Sequence, residues 1–209
     1  MKDDPDIRPL AARDLREAAA LHLRAFPDSA LTALGPESVR RYYEWQLTGP
    51  HETTALGVWH DGALAGFCFG GHFRGAMSGF LRRNRLHLAV RVATHPWLLA
   101  NPLFRERLTS GLRILRRFAR PPAPPAANPQ PKPRRFGILS IAVDPRLHGL
   151  GLGKRLMQEA EACARRQAFP EMQLTVHPDN AQAIRFYEGL GWQKHPAGAA
   201  WTGEMRKSL

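Results

Sequence analysis

A chain of 209 residues, 44% of them hydrophobic and 23% charged, is long enough for one substantial core and is neither fibrous nor disordered in composition. Two cysteines, Cys68 and Cys163, exclude a disulfide-stapled scaffold and are too few for a cysteine-built zinc site, so no metal centre is expected. Thirty Lys and Arg against eighteen Asp and Glu leave a formal net charge of +12, and the excess is local: residues 74–135 hold thirteen Arg and Lys132 against one acid, Glu106.

The opening MKDDPDIRPL is acidic and polar, unlike a secretory leader. The most apolar middle stretch, 86–104, carries Arg91, His95, Pro96 and Asn101, which makes it a poor membrane span. The expectation is a cytoplasmic protein with no transmembrane segment. Residues 7–10 read as a short strand. Asp14 then stands before a helix over 15–26, in which Leu15, Ala18, Ala19, His22, Leu23 and Phe26 recur at helical spacing, and Asp14 is placed to cap it or to sit in its first turn. Residues 26–29 break that helix. A second begins at Pro36, a good first-turn residue, and runs to about Leu47 before Gly49-Pro50. Apolar runs at 54–59 and 63–69 flank His60-Asp61-Gly62, a strong hairpin signal, and Gly70 and Gly71 are expected to end the second strand.

From 75 to 120 the pattern is helical, rich in Arg and Leu, and broken near Pro96 and Pro102. Seven prolines between 121 and 133 exclude helix and central strand and predict an extended linker. Residues 136–143, FGILSIAV, form a nearly continuous apolar run, expected of a strand buried on both faces. A glycine-rich turn leads into a helix carrying Leu152, Leu156, Met157, Ala160 and Cys163; then come a strand at 172–176, a short helix at 180–188 closed by Gly189, and a last strand at 201–206. This succession predicts an α/β or α+β fold with at least one crossover connection.

The turn His148-Gly149-Leu150-Gly151-Leu152-Gly153-Lys154-Arg155 is the most informative stretch. It lies between a buried strand and a helix start, where backbone amides lack intrahelical partners and the helix dipole is positive. Glycine lets phosphate oxygens approach the backbone, and Lys154 and Arg155 add charge, so the loop reads as a pyrophosphate site. The G-x-G-x-G spacing is not the G-x-G-x-x-G of a dinucleotide fold, and Gly149 to Gly153 is one residue short of a P-loop.

Residues 148–153 resemble the [QR]-x-x-G-x-[GA] acetyl-coenzyme A loop of the GNAT N-acetyltransferase superfamily, with His148 where Gln or Arg is usual. The resemblance continues in Leu174-x-Val176-x-x-x-Asn180-x-x-Ala183-x-x-Phe186-Tyr187-x-x-x-Gly191-Trp192. It covers 136–206 well, 5–73 loosely, and leaves 74–135 unmatched. It implies a mixed, largely antiparallel central sheet flanked by helices, here as a single domain over 1–209 with an Arg-rich helical insertion at 74–120 and a Pro-rich linker at 121–135. It implies acetyl-coenzyme A as cofactor, with the pantetheine arm pairing with the main chain around Ile141, Ala142 and Val143 like an added strand. The pyrophosphate would sit on the amides of Gly149, Leu150, Gly151, Leu152, Gly153 and Lys154, with His148, at the first position of the loop, serving chiefly in backbone hydrogen bonding. Asn180 would fix the last helix or touch the cofactor, and Ala183 and Phe186 would line the pantetheine and acetyl region.

By the same resemblance Tyr187 is the general acid to the departing thiolate. An amine acceptor is neutral only about one time in 2,500 at pH 7, so its proton must be taken up, and Asp28, Glu37, Glu44 and His72 are the candidate bases. The acceptor is expected to be a small-molecule or protein amine, with O-acylation of a sugar open on the same residues; an oligomer is possible. The Arg-rich insertion suits an anionic substrate or surface. The rival reading is a basic module that binds nucleic acid or a membrane on a non-catalytic GNAT scaffold.

Overall fold

The computed structural model describes residues 5–100, 134–196 and 201–209. The helical pattern beyond Ala100, the break at Pro102 and the prolines of 121–133 lie outside the described residues. Two compact units emerge, one from Ala11–His51 and Arg74–Lys132, the other from Met1–Leu10, Glu52–Phe73 and Pro133–Leu209.

The first unit is helical: α1 (Leu15–Ala25), α2 (Ala30–Ala33), α3 (Pro36–Thr48), α4 (Ala76–Arg83) and α5 (Arg85–Thr94), followed by a 3-10 turn at Pro96–Ala100. Its core joins Leu15, Ala18 and Leu21 of α1 to Val39, Tyr42 and Tyr43 of α3 and Phe80 of α4. Edge-on ring contacts run from His22 to Tyr43, Tyr43 to Tyr42 and Tyr42 to Phe80, at 5.6, 5.4 and 5.3 Å. Pro36 opens α3 and α5 stops before Pro96, as expected. Two local details differ. The Asp14 carboxylate does not cap α1 but turns back to accept the Ala11 N–H at 2.8 Å. Ser29, expected only to break the chain, caps the short α2 by accepting the Thr32 N–H at 3.0 Å.

The second unit holds a seven-stranded sheet in the order β1-β2-β3-β4-β5-β7-β6: β1 (Asp6–Pro9), β2 (Glu52–His60), β3 (Ala63–His72), β4 (Phe136–Val143), β5 (Glu171–Thr175), β6 (Gln193–Lys194) and β7 (Glu204–Ser208). It also holds α6 (Leu152–Arg166) and α7 (Ala181–Glu188). Every neighbouring pair is antiparallel except β4 and β5, which α6 connects. His60 pairs with Ala63 across Asp61-Gly62, both at positive φ (50° and 76°), the two-residue turn that the sequence signals.

Strand β3 does not end at Gly70. It continues to His72, because the glycines make room rather than break the ladder. A Cβ on Gly70 would lie 2.4 Å from the Phe136 ring, and one on Gly71 would lie 2.0 Å from the Glu52 carbonyl oxygen at a φ of 139°. Strand β4 is also not buried equally on both faces: Phe136, Ile138 and Ala142 are in the core, while Leu139, Ile141 and Val143 are half-buried. The apolar run therefore reports one core face and one partly open one. Gly189 caps α7 in a right-handed conformation, and Gly191 takes the left-handed φ of 83°. The last strand begins at Glu204, with Trp201 instead donating its indole N–H to the Glu204 carbonyl. The core between sheet and helices gathers Leu56, Val58, Cys68 and Phe136 with Leu152, Leu156, Met157 and Ala160 of α6 and Ile184 of α7.

Candidate active site

The site grows from the point where β4 and β5 part. They pair only at Phe136–Met172 and Gly137–Gln173, so from Ile138 onward β4 has no ladder partner on that side. On its other side the Asp144 N–H donates to Ala65 at 2.8 Å, and β4 stays in register with β3 through Ala142–Phe67. Main-chain groups alternate along a strand, so Asp144 and Ala142 spend theirs on β3, while Val143 and Ile141 turn theirs to the open edge. Ala142, between them, is 5% exposed and its main chain faces β3.

Beyond β4 the chain turns on Asp144. Its buried carboxylate accepts from the Arg146 N–H at 3.1 Å and from the guanidinium at 3.0 and 2.8 Å, closing the Asp-Pro-Arg turn. His148 reaches back, its Nε2 lying 3.3 Å from the Val143 carbonyl oxygen. Gly149 and Gly151 then adopt left-handed φ values of 86° and 75°, where a Cβ would be strained, and a Cβ on either would meet no atom within 4 Å. Gly151 is the N-cap of α6 and supplies no side-chain cap; the first intrahelical bond is Arg155 N–H to Gly151 at 3.1 Å. The amides of Gly151, Leu152, Gly153 and Lys154 thus lack intrahelical acceptors at the positive end of a helix of 15 residues. Leu152 contributes only its amide, since its side chain belongs to the core. Leu150 and Lys154 are exposed.

Helix α7 brings the remaining residues. The Asn180 side chain accepts the Ala183 N–H at 3.0 Å, so Asn180 fixes the start of the helix. Phe186 lies beside the loop: a Cβ on Gly153 would touch its ring at 3.5 Å and Val143 at 3.7 Å. Tyr187 stacks edge-on against Phe186 at 5.2 Å and approaches Trp192 at 6.1 Å. Burial, with a smaller contribution from the nearby Cys68 thiol, pushes its hydroxyl up to about 12. Among the described residues no hydrogen-bond partner of that hydroxyl is found.

The free amides, the unstrained space over two glycines and the open edge of β4 fit an anionic group followed by an extended amide-bearing arm, which is the chemistry of a coenzyme A pyrophosphate and pantetheine. A groove of about 490 Å³ lined by α6 together with Gly189, Leu190, Trp192 and Lys207 also includes Lys154, but not Phe186 or Tyr187.

The candidate bases fare differently. Glu37 is bound by Arg40 and Arg41 at 2.9 and 2.7 Å, and the Arg40 hydrogen bond leads in holding its carboxyl down to about 2. Glu44 pairs with Arg40 at 3.3 Å. Asp28 is exposed, and His72 closes β3 opposite Glu52. The Asp144–Arg146 clamp and the His148 contact were not among the expected features, although an Asp two residues before an Arg in a proline turn is a local signal for the clamp.

A sequence model described as the acetyltransferase (GNAT) family matches residues 15–192. The chain belongs to this family. The mycothiol acetyltransferase of Geodermatophilus obscurus is 34% identical over 64 residues, which is 31% of this chain and 21% of that protein, so the chain spans about a fifth of that relative's length. The PaiA N-acetyltransferase of Thermoplasma acidophilum, solved in complex with coenzyme A, superposes with a TM-score of 0.59 at 14% identity over 99% of both chains. A GNAT family acetyltransferase from Brucella melitensis, solved with acetyl-CoA, gives 0.52 at 13% identity over 99% of this chain and 88% of that one. These likenesses show a GNAT fold: a mixed, mostly antiparallel sheet flanked by helices.

Proposed function

We propose that this GNAT member uses acetyl-CoA to acetylate an amine by direct attack, with Tyr187 as the general acid. The observation that carries the reading is the uncapped start of α6 behind two left-handed glycines, set against the unpaired edge of β4. The family match spans residues 15–192, which lie in both compact units, and supports taking 1–209 as one acetyltransferase domain.

Acetyl-CoA, when bound, supplies an activated thioester carbonyl. The amides of Gly149 through Lys154 hold its pyrophosphate, and Ile141 and Val143 offer their main chains to its arm. His148 steadies the loop by bonding the Val143 carbonyl, while Ala183 and Phe186 wall the channel. The Val143 amide is placed to stabilise negative charge developing on the carbonyl oxygen. Asn180 is a positioning residue: it caps the helix that presents Tyr187. The Tyr187 hydroxyl keeps its proton throughout the neutral range and donates a hydrogen bond to the leaving sulfur. Against a thiol near about 8.5, full transfer from a group near 12 is uphill by about 3.5 pH units, so Tyr187 gives its proton to the sulfur as the nitrogen of the tetrahedral intermediate returns one to the tyrosine oxygen, the proton of the initial ammonium having gone to solvent.

The test is thiol release from acetyl-CoA across a panel of amines. Tyr187→Phe should lower kcat by roughly 10²- to 10⁴-fold while acetyl-CoA affinity stays within about twofold. Equal turnover in the two proteins would remove Tyr187 from the mechanism.

A further inference from the structure

Helix α5 carries an exposed apolar face. Its polar side chains turn inward: His87 meets Ser38 of α3 at 3.0 Å, and Arg91 donates to the Leu34 carbonyl at 2.9 Å. Part of its apolar surface turns outward, while Leu88 and Val92 are half-buried. Leu86 is 76% exposed and Val90 62%, with Ala89 and Ala93 exposed on the same face at helical spacing. Trp97, in the turn that follows, is 64% exposed, and Met77 of α4 is 43% exposed. No residue of α5 is fully buried. Arg82 and Arg83, at the end of α4, and Arg85, at the start of α5, are exposed, with the Arg83 guanidinium 6.0 Å from the centre of the Trp45 ring, and between residues 74 and 100 there is no Asp or Glu.

We infer that the outward face of α5, with Trp97 and Arg82, Arg83 and Arg85, docks on an anionic lipid bilayer. Each part of the face matches one layer of such a surface. Aliphatic side chains enter the boundary between headgroups and acyl chains, a tryptophan sits at headgroup level, and arginines meet lipid phosphates. Charge and chemistry select this occupant over the alternatives. A second copy of the chain would bring two arginine-rich faces together, and nucleic acid offers nothing to exposed Leu86 and Val90. Among the described residues no helix is long and apolar enough to cross a membrane, so the contact is with the surface. The inference is independent of the acetyltransferase reading.

The test is co-sedimentation of the full chain with phosphatidylcholine vesicles, with and without about 30% phosphatidylglycerol. The expected result is at least about tenfold tighter binding to the anionic vesicles, weakened by raised salt. Leu86→Glu combined with Val90→Glu should lose that binding by about tenfold or more while keeping the wild-type circular dichroism spectrum; both positions are exposed, so the fold should not suffer. Binding that is absent, equal on both vesicle types, or unchanged in the double variant would overturn the inference. So would a dimer in sedimentation velocity that the double variant abolishes, or binding of a duplex oligonucleotide that exceeds vesicle binding and ignores the double variant.

Discussion

His22 makes the helical unit sensitive to acid. It is 6% exposed, with Nδ1 at 2.8 Å from the Tyr43 hydroxyl and Nε2 at 3.3 Å from Ser29, and burial holds its pKa down to about 4 against an ordinary 6.5. Between those values an unfolded chain takes up a proton that the folded one refuses. Stability from this group is therefore complete above 6.5 and is lost as the pH falls through 4. For one such histidine the linkage relation gives a loss of about 2 kcal/mol between pH 7.5 and pH 5, approaching about 3 kcal/mol by pH 3. The assay is urea unfolding followed by circular dichroism at pH 7.5 and 5 for the wild type and for His22→Gln, which does not titrate. The variant should be less stable at pH 7.5, because it disturbs the bonds to Tyr43 and Ser29, but its further loss on acidification should be smaller by about 2 kcal/mol. Parallel losses in the two proteins would show that His22 is accessible to protons in the folded state and would refute the reasoning.

Two further outcomes follow from single positions. Gly71→Ala places a Cβ 2.0 Å from the Glu52 carbonyl oxygen and should cost about 2–4 kcal/mol in chemical unfolding; a loss below about 1 kcal/mol would mean that β3 yields there. Because a general acid fails as the pH rises through its pKa, and Tyr187 is raised to about 12, kcat should show no falling limb from Tyr187 up to about pH 10.5. A limb near 10 that disappears in Tyr187→Phe would contradict the burial argument.

The parts that were legible in the sequence are those set by local chemistry. Asp61-Gly62 carries its turn in two residues, Pro36 its helix start, and 136–143 its strand to the residue. The glycine loop was equally readable, because an uncapped helix start needs only its own few residues to be recognised. The parts misread depend on distant partners. Gly70 looks like a strand end until the Phe136 ring is seen to occupy the place of its side chain. Asp14 stands at the N-cap position of α1, but its carboxylate bonds the Ala11 amide instead of the helix. Glu37 could have been set aside from the sequence, since Arg40 and Arg41 stand three and four residues later on the same helix. The exposed apolar face of α5 is hidden for another reason. Periodicity reveals that a helix has two faces but not which one turns outward.

The account rests most heavily on the start of α6 as an anion site, and calorimetric titration with acetyl-CoA tests it directly. Gly151→Asp is the matched control: the added Cβ meets no atom within 4 Å, aspartate tolerates a left-handed φ better than most residues, and its carboxylate places negative charge among the free amides. The wild type should bind with a Kd on the order of micromolar, and the variant should stay folded yet weaken binding by at least about a hundredfold. Undiminished affinity in Gly151→Asp, or no binding by the wild type, would contradict the assignment of this loop to the cofactor.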